Sequence, residues 1–181
     1  MDAKNVSAAK PKIGGSVFVA PLGTKLPEDA KSELDTKFNS LGYCSDDGVS
    51  NNNSPETDTQ KAWGGAVVLN LFSGKEDTFK LKLIESLNVN VLKTVYGSSN
   101  VTGDLDTGLT IKAKNEEPEQ FSWVIDMILK GKILKRLVIP CAGITEIGEI
   151  KYSDSDATFS GVPDETETSH YDYMIKKKEG E

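Results

Sequence analysis

The longest apolar run of the chain, FSWVIDMILKGKILKRLVIP at residues 121–140, has a period of two on both sides of a glycine. The odd-numbered positions of its first half share one strand face: Phe121, Trp123, Ile125, Met127 and Leu129. A period of two indicates β-strands, because successive side chains of a strand point to opposite faces of the sheet. The run therefore predicts a β-hairpin that turns at 130–132, with this face in the core.

The second face of the same hairpin is also apolar. It carries Val124, Ile128, Leu134 and Val138. Apolar side chains on both faces of a strand indicate that both faces are covered. We expect the cover to come from a helix of the domain or from a neighbouring subunit.

Shorter runs predict further strands. They are GSVFVAPLG at 15–23, AVVLNLF at 66–72, TFKLKLI at 78–84, LTIKAK at 109–114, ITEIGEIKYS at 144–153 and HYDYMI at 170–175. The SGKEDT stretch at 73–78 lies between two of these runs and has the composition of a hairpin turn.

Two stretches have a helical period instead. In PEDAKSELDTKFNSLG, residues 27–42, the apolar positions are three or four residues apart, with Pro27 in the first turn and Gly42 as a stop. In ESLNVNVLKTVYG, residues 85–97, Leu87 begins an apolar row with fourfold spacing. Both stretches predict short helices that pack on the strands.

The segment between the first predicted helix and the predicted strand at 66–72 is polar. From Ser45 to Gln60 its one apolar side chain is Val49. Such a composition cannot bury enough surface to fold alone, and long loops in compact domains are usually functional. We therefore expect a long loop at 43–61 within one domain of residues 13–175, flanked by flexible arms at 1–12 and 176–181.

Charge and length exclude several functions. The chain has 181 residues, with 28 acids against 21 bases and a net charge of −7, which argues against general affinity for nucleic acid. The basic group from Lys130 to Arg136 interrupts the apolar run, so no transmembrane helix is predicted, and we expect it to keep a hairpin tip soluble. Cys44 and Cys141 are far apart and are expected to be reduced thiols.

The sequence offers no convincing catalytic or metal-binding set. The single histidine, His170, lies beside acids without a nucleophile or an orienting partner in a recognisable pattern. Asp106-Thr107-Gly108 lacks the second such triplet that an aspartic protease needs, so it predicts a turn. No HExxH motif, Cys/His cluster or phosphate-binding loop is present. We therefore predict a protein that is not an enzyme and has no cofactor and no metal.

A series of motifs along residues 13–175 resembles the major tail protein, or tail tube protein, of long non-contractile-tailed bacteriophages. The motifs are LPEDAKSELDTKFNSLGYCSDDGV, KAWGG, DTFKLKLIESLNVNVLKTVYG, GLTIKAKNEEPEQFSWVIDMILKGKILKRLVIPCAGITEIGEIKY and VPDETETSHYDYM. The resemblance lies in their order and spacing, since no single motif is diagnostic.

The resemblance implies a mainly β fold, a β-sandwich or barrel-like tail-tube fold with one or two short helices and a long inter-strand loop. It implies homo-oligomeric, hexameric rings that stack into a tube with other phage tail proteins. DNA would pass through this tube without specific binding, and no membrane is involved. The expected location is the virion tail, assembled in the bacterial host cytoplasm.

By position, the resemblance places the loop that reaches a neighbouring ring on 43–61. The candidate interface residues are Tyr43, Asp46, Asp47, Val49, Asn52, Pro55, Gln60, Lys61 and Trp63. Two alternatives stay open from the sequence. One is the tube protein of a contractile secretion system, which shares the fold. The other is a carbohydrate-binding β-sandwich, which needs an exposed aromatic platform from Trp63 or Trp123.

Overall fold

The computed structural model describes residues 9–11, 16–130, 132–148 and 168–174. These residues form mainly antiparallel strands and one α-helix, so the predicted fold class is confirmed. The elements are β1 Ala9–Pro11, β2 Val17–Pro21, β3 Asn39–Ser40, β4 Cys44–Lys61, β5 Val67–Leu83, α1 Val89–Tyr96, a 3-10 turn Ser98–Asn100, β6 Val101–Asp104, β7 Gly108–Lys114, β8 Gln120–Leu129, β9 Ile133–Gly143 and β10 Thr168–Met174.

The chain divides into two compact units where the sequence predicts one domain over 13–175. The first unit contains Met1–Tyr43 and Leu83–Glu181, and the second contains Cys44–Lys82. The first unit holds every buried residue of the described chain. The second unit is a two-stranded hairpin of β4 and β5.

Strand β8 is the centre of the largest sheet. One of its edges pairs along its length with β9, with Leu129 opposite Ile133, so the predicted hairpin is confirmed. Its other edge pairs with β2 and, further along, with β1. The short strand β3 continues the sheet beyond β2. Residues 9–11 therefore form a strand, although the sequence predicts a flexible arm over 1–12.

The core face of β8 is as predicted in its first half. Phe121, Trp123 and Ile125 are buried, whereas Met127 and Leu129 are half-buried. Burial therefore declines along the strand towards the turn of the hairpin. A register shift lies between Phe121 and Trp123.

The part of the second face of the hairpin around Val124 and Val138 is covered by an irregular segment, whereas Leu134 is exposed. Val124 is fully buried and packs with Ala20 and Phe38, while Leu26 and Leu34 lie around this cluster. The cover thus comes from the part of the chain in which the sequence predicts a helix. Phe38 and Leu41 are buried as expected and Ala30 and Leu34 are half-buried, but the conformation of the segment is different.

No helix forms over 27–42, so this prediction is wrong. The Asp29 carboxylate accepts hydrogen bonds from the backbone N–H groups of Lys31 and Ser32, both at 2.6 Å. The backbone carbonyls of Asp29 and Ser32 accept bonds from the Arg136 guanidinium, at 2.9 Å and 2.8 Å. A helix would use these carbonyls internally, so a local turn and a distant arginine replace the helical bonds.

The second predicted helix is confirmed as α1. The Asn88 side chain accepts a hydrogen bond from the Asn90 N–H at 3.0 Å and so caps the first turn. Leu92 of the helix packs with Leu109 and Ile111 of β7. This strand is the middle of a second sheet, between β6 and β10. The strands predicted at 109–114 and 170–175 are therefore confirmed.

The segment 43–61, predicted as a loop, is mostly the 18-residue strand β4. Its turn lies at Ala62–Ala66, where the Ala62 N–H donates to the Ala66 carbonyl at 2.8 Å. The turn predicted at 73–78 is wrong, because these residues continue inside β5. Pairing of two strands satisfies backbone hydrogen bonds without side-chain burial, so a polar sequence can be extended here.

The remaining strand prediction, 144–153, is only partly within the described residues. Residues 144–148 are not a strand, which differs from the prediction. The arm at 176–181 and the stretch 149–167 lie outside the described residues.

Candidate assembly arm

The hairpin of β4 and β5, residues Cys44–Lys82, is the strongest candidate for a functional site, and we name it the arm. All of its residues are described, and none of them is buried. An extended strand of 18 residues spans up to about 60 Å. A two-stranded hairpin is marginally stable in water without a partner surface. We therefore expect a partner surface to stabilise the arm.

The chain segments that lead into the arm are held together by hydrogen bonds. The Ile84 N–H donates to the Tyr43 carbonyl at 3.1 Å. The Glu85 carboxylate accepts from the Tyr43 N–H at 2.8 Å and from the Asn88 side-chain amide at 3.0 Å. A single carboxylate thus ties the start of the arm to the turn before α1.

Gly42 is required beside this carboxylate. Its φ of 75° is in the left-handed region, and a Cβ there would overlap the Glu85 carboxyl group. We expect Gly42→Ala to lower the free energy of unfolding by more than about 2 kcal/mol, since the left-handed conformation alone costs about 1–2 kcal/mol. Gly23→Ala is the matched control, because its φ is 82° with nothing within 4 Å. Chemical denaturation measures both, and equal losses would contradict the role of Glu85.

The interface residues predicted from the sequence lie along β4 and its turn, apart from Tyr43, which precedes the strand. Trp63 is fully exposed in the turn, and Tyr43 has 61% of its surface exposed. Val49 is half-buried, and the other predicted residues on β4 are exposed. The structure thus spreads this set along one strand and does not gather it into a pocket.

An apolar row on β5 was missed by the sequence analysis. It consists of Val67, Val68, Leu69, Leu71 and Phe72, all of which are exposed. This run is predicted to be a strand, with no prediction of its exposure. The sequence does contain a signal for this exposure. The segment 45–60 is polar, so it offers an apolar strand no apolar partner. A concentrated exposed apolar surface marks an interaction site in a soluble protein.

The distal half of the arm combines this apolar row with acids. The Ala62–Ala66 bond at the turn and the bond from the Asn51 amide to the Asp77 carboxylate at 2.5 Å fix the pairing of the strands. This pairing places the stretch containing Glu56 and Asp58 beside the apolar row. Both acids are exposed. The distal arm is thus an apolar strand with an acidic neighbour.

The comparison with protein families now identifies the chain. A family model described as phage tail tube protein matches residues 3–163. The chain belongs to the phage tail tube protein family. The resemblance found in the sequence is thereby confirmed. No curated protein and no solved structure matches the chain.

Membership makes the chain a tail tube subunit, a structural component of the virion tail that assembles with other tail proteins. The described part of this tail tube subunit contains no helix long and apolar enough to cross a membrane. Within the same residues, no group of three or more metal-ligating side chains comes together. Trp123 is buried and donates its indole N–H to the Ala142 carbonyl at 2.9 Å, so it offers no platform for a sugar.

In the Asp106-Thr107-Gly108 triplet of the tail tube subunit, Asp106 and Thr107 lie in the turn between β6 and β7, as predicted, and Gly108 begins β7. The Asp104 carboxylate accepts hydrogen bonds from the Asp106 N–H at 2.9 Å, the Thr107 N–H at 2.8 Å and the Thr107 hydroxyl at 2.9 Å. The bonds from Thr107 lower the pKa of Asp104 below its ordinary value of 3.8, and the Asp106 bond adds to this. The Asp104 carboxylate therefore stabilises the turn.

This lowered pKa gives a pH dependence with a defined sign. The folded state favours the charged form, so the stabilisation is present above pH 3.8 and is lost as the pH falls through the lower folded pKa. We expect Asp104→Asn to flatten the fall of the melting temperature between about pH 4 and about pH 2. Asp106→Asn removes the same charge but keeps the bonds on Asp104. A profile of Asp104→Asn that matches the wild type would contradict this role.

Proposed function

We propose that the subunit self-assembles into hexameric rings, that the rings stack into a tube, and that this tube is the conduit for DNA ejection. The observation that carries the proposal is the arm, a hairpin with no buried residue and an exposed apolar row. Docking against a neighbouring copy would give this hairpin the cover that the subunit does not supply. Assembly takes place in the host cytoplasm, before the virion is complete.

Within a ring, the proposal assigns side-by-side contact to the edge of β9. This strand has 11 residues and, among the residues that the structure describes, pairs only with β8. A long unpaired edge is a template for another strand, and repetition around a ring removes the edge. Edge pairing of β9 with a neighbour therefore supports ring closure.

Between rings, the proposal assigns contact to the arm. The exposed row of β5 supplies apolar area. The residues predicted from the sequence on β4, among them Asp46, Asn52 and Gln60, supply a polar rim. An apolar centre with a polar rim is the usual anatomy of a protein interface.

The passage of DNA without specific binding is supported by the charge of the chain. The net charge is −7, and phosphate binding needs clustered cations. A conduit that repels phosphate does not retain the DNA that moves through it.

Electron microscopy of the concentrated full-length protein tests the proposal. We expect long stacked tubes, and sixfold symmetry in end-on class averages. Isolated rings would contradict stacking. Monomers at all concentrations would contradict self-assembly of this chain on its own.

A further inference from the structure

The turn end of the β8–β9 hairpin forms a second exposed surface in the tail tube subunit, and we name residues 132–135 the tip. It consists of Lys132, Ile133, Leu134 and Lys135, all exposed, with 58% of Ile133 and 40% of Leu134 accessible. The sequence predicts that the lysines keep the hairpin tip soluble. Two exposed aliphatic side chains between them do not fit that explanation, because solubility favours polar neighbours.

The tip and the distal arm have complementary chemistry. The distal arm presents Glu56 and Asp58 beside the apolar row of β5, and the tip presents two lysines beside two aliphatic side chains. An apolar contact flanked by opposite charges is stabilised by burial and selected by charge.

Two other exposed apolar surfaces of the first unit lack this match. Ile84 and Leu87 flank Glu85, and Ile147 follows Glu146. An acidic arm would meet like charge at both places. Among these described surfaces, the tip is the one that an acidic, apolar arm fits.

We propose that the distal arm of one subunit docks on the tip of a second copy of this chain. The proposal rests on the proposed self-assembly and names the surface that receives the arm. Glu56 and Asp58 pair with Lys132 and Lys135. Ile133 and Leu134 lie on opposite faces of β9 where the strand begins, so the apolar side chains of β5 meet the tip end-on and cover both. The tip lysines thus act in assembly and not in contact with DNA.

Charge reversal tests this pairing. The arm variant E56K/D58K and the tip variant K132E/K135E each place like charges at the contact. We expect each alone to raise the critical concentration for tube formation by about tenfold or more, since opposed like charges cost several kcal/mol. Mixing the two variants restores both kinds of opposite-charge contact, so tubes are expected to return in the mixture.

The controls keep the charge changes but move them away from the contact. E76K is the control for the arm, and K25E/K31E is the control for the first unit; both are expected to assemble at wild-type concentrations. Sedimentation and electron microscopy measure assembly, and circular dichroism confirms that each variant is folded.

The outcomes distinguish a failure of the proposed arm–tip contact from a failure of the proposed self-assembly. If both the wild type and K132E/K135E form normal tubes, the docking pair is wrong but self-assembly stands. The same conclusion holds if K132E/K135E forms normal tubes and loses only DNA binding. Mixed variants that stay unassembled would also overturn the docking pair, because a contact between copies must be rescued by mixing. Absence of wild-type tubes would instead reject the proposed self-assembly.

Discussion

Replacing residues 53–75 with an Asn-Gly turn should give a folded subunit that forms no tubes at any accessible concentration. The strand pairing brings 52 and 76 opposite each other, so a two-residue turn closes the shortened hairpin. The bond between Asn51 and Asp77 is retained. None of the removed residues is buried, so the melting temperature should stay within a few degrees of the wild type. Calorimetry and electron microscopy measure the two results.

Full-length variants of the arm decide which of its strands carries the contact. Val68→Thr with Phe72→Thr removes exposed apolar area from one face of β5, and we expect this variant to lose tubes. Asn52→Ser with Gln60→Ser changes two of the β4 residues predicted from the sequence, and we expect this variant to form tubes like the wild type. The reverse pattern would assign the contact to β4. If the subunit with the shortened arm forms normal tubes, the arm has no role in assembly.

The parts of the fold that the sequence predicts are those with local signals. The hairpin of β8 and β9 follows from its period of two, and α1 follows from fourfold spacing with a stop at Gly97. Strand β7 alternates in the same way. Each of these elements is stabilised by neighbours close in sequence or by its own hydrogen-bond pattern, so a local pattern is sufficient.

The segment 27–42 shows where local signals fail. Its helical spacing is real, and Phe38 is buried as that spacing requires. The carbonyls of Asp29 and Ser32 are nevertheless taken by Arg136, which lies more than a hundred residues away in sequence. No pattern within the segment contains this information, because it depends on the sheet that the arginine belongs to.

The arm shows a similar limit at the candidate site. The sequence predicts that 43–61 is an interaction segment because it is polar, but its strand form depends on β5 as partner. The turn of the arm has a signal in the sequence, because the adjacent glycines Gly64 and Gly65 favour a turn. In the structure both have a positive φ. The exposure of the apolar row of β5 was not predicted, because exposure cannot be read from composition alone.

Arg136→Ala should be the most destabilising single change in the first unit, with a loss of about 3–5 kcal/mol, because it leaves a buried carboxylate without its cation. The guanidinium donates to both oxygens of Asp126, at 2.7 Å and 2.9 Å, and the two side chains are 5% and 7% exposed. It also donates to the carbonyls of Asp29 and Ser32. The substitution therefore removes a buried ion pair and releases the segment that covers Val124.

Three further variants separate these contributions. Arg136→Met with Asp126→Leu removes both charges, so most of the loss should be recovered, but the two carbonyls still lack a donor. Arg136→Lys keeps the charge and loses the bidentate geometry, so an intermediate loss is expected. Lys114→Ala breaks the exposed pair with Glu116 and should cost about 1 kcal/mol or less. Denaturant unfolding measures all four. A loss for Arg136→Ala no larger than for Lys114→Ala would show that the buried pair does not hold the segment on the sheet.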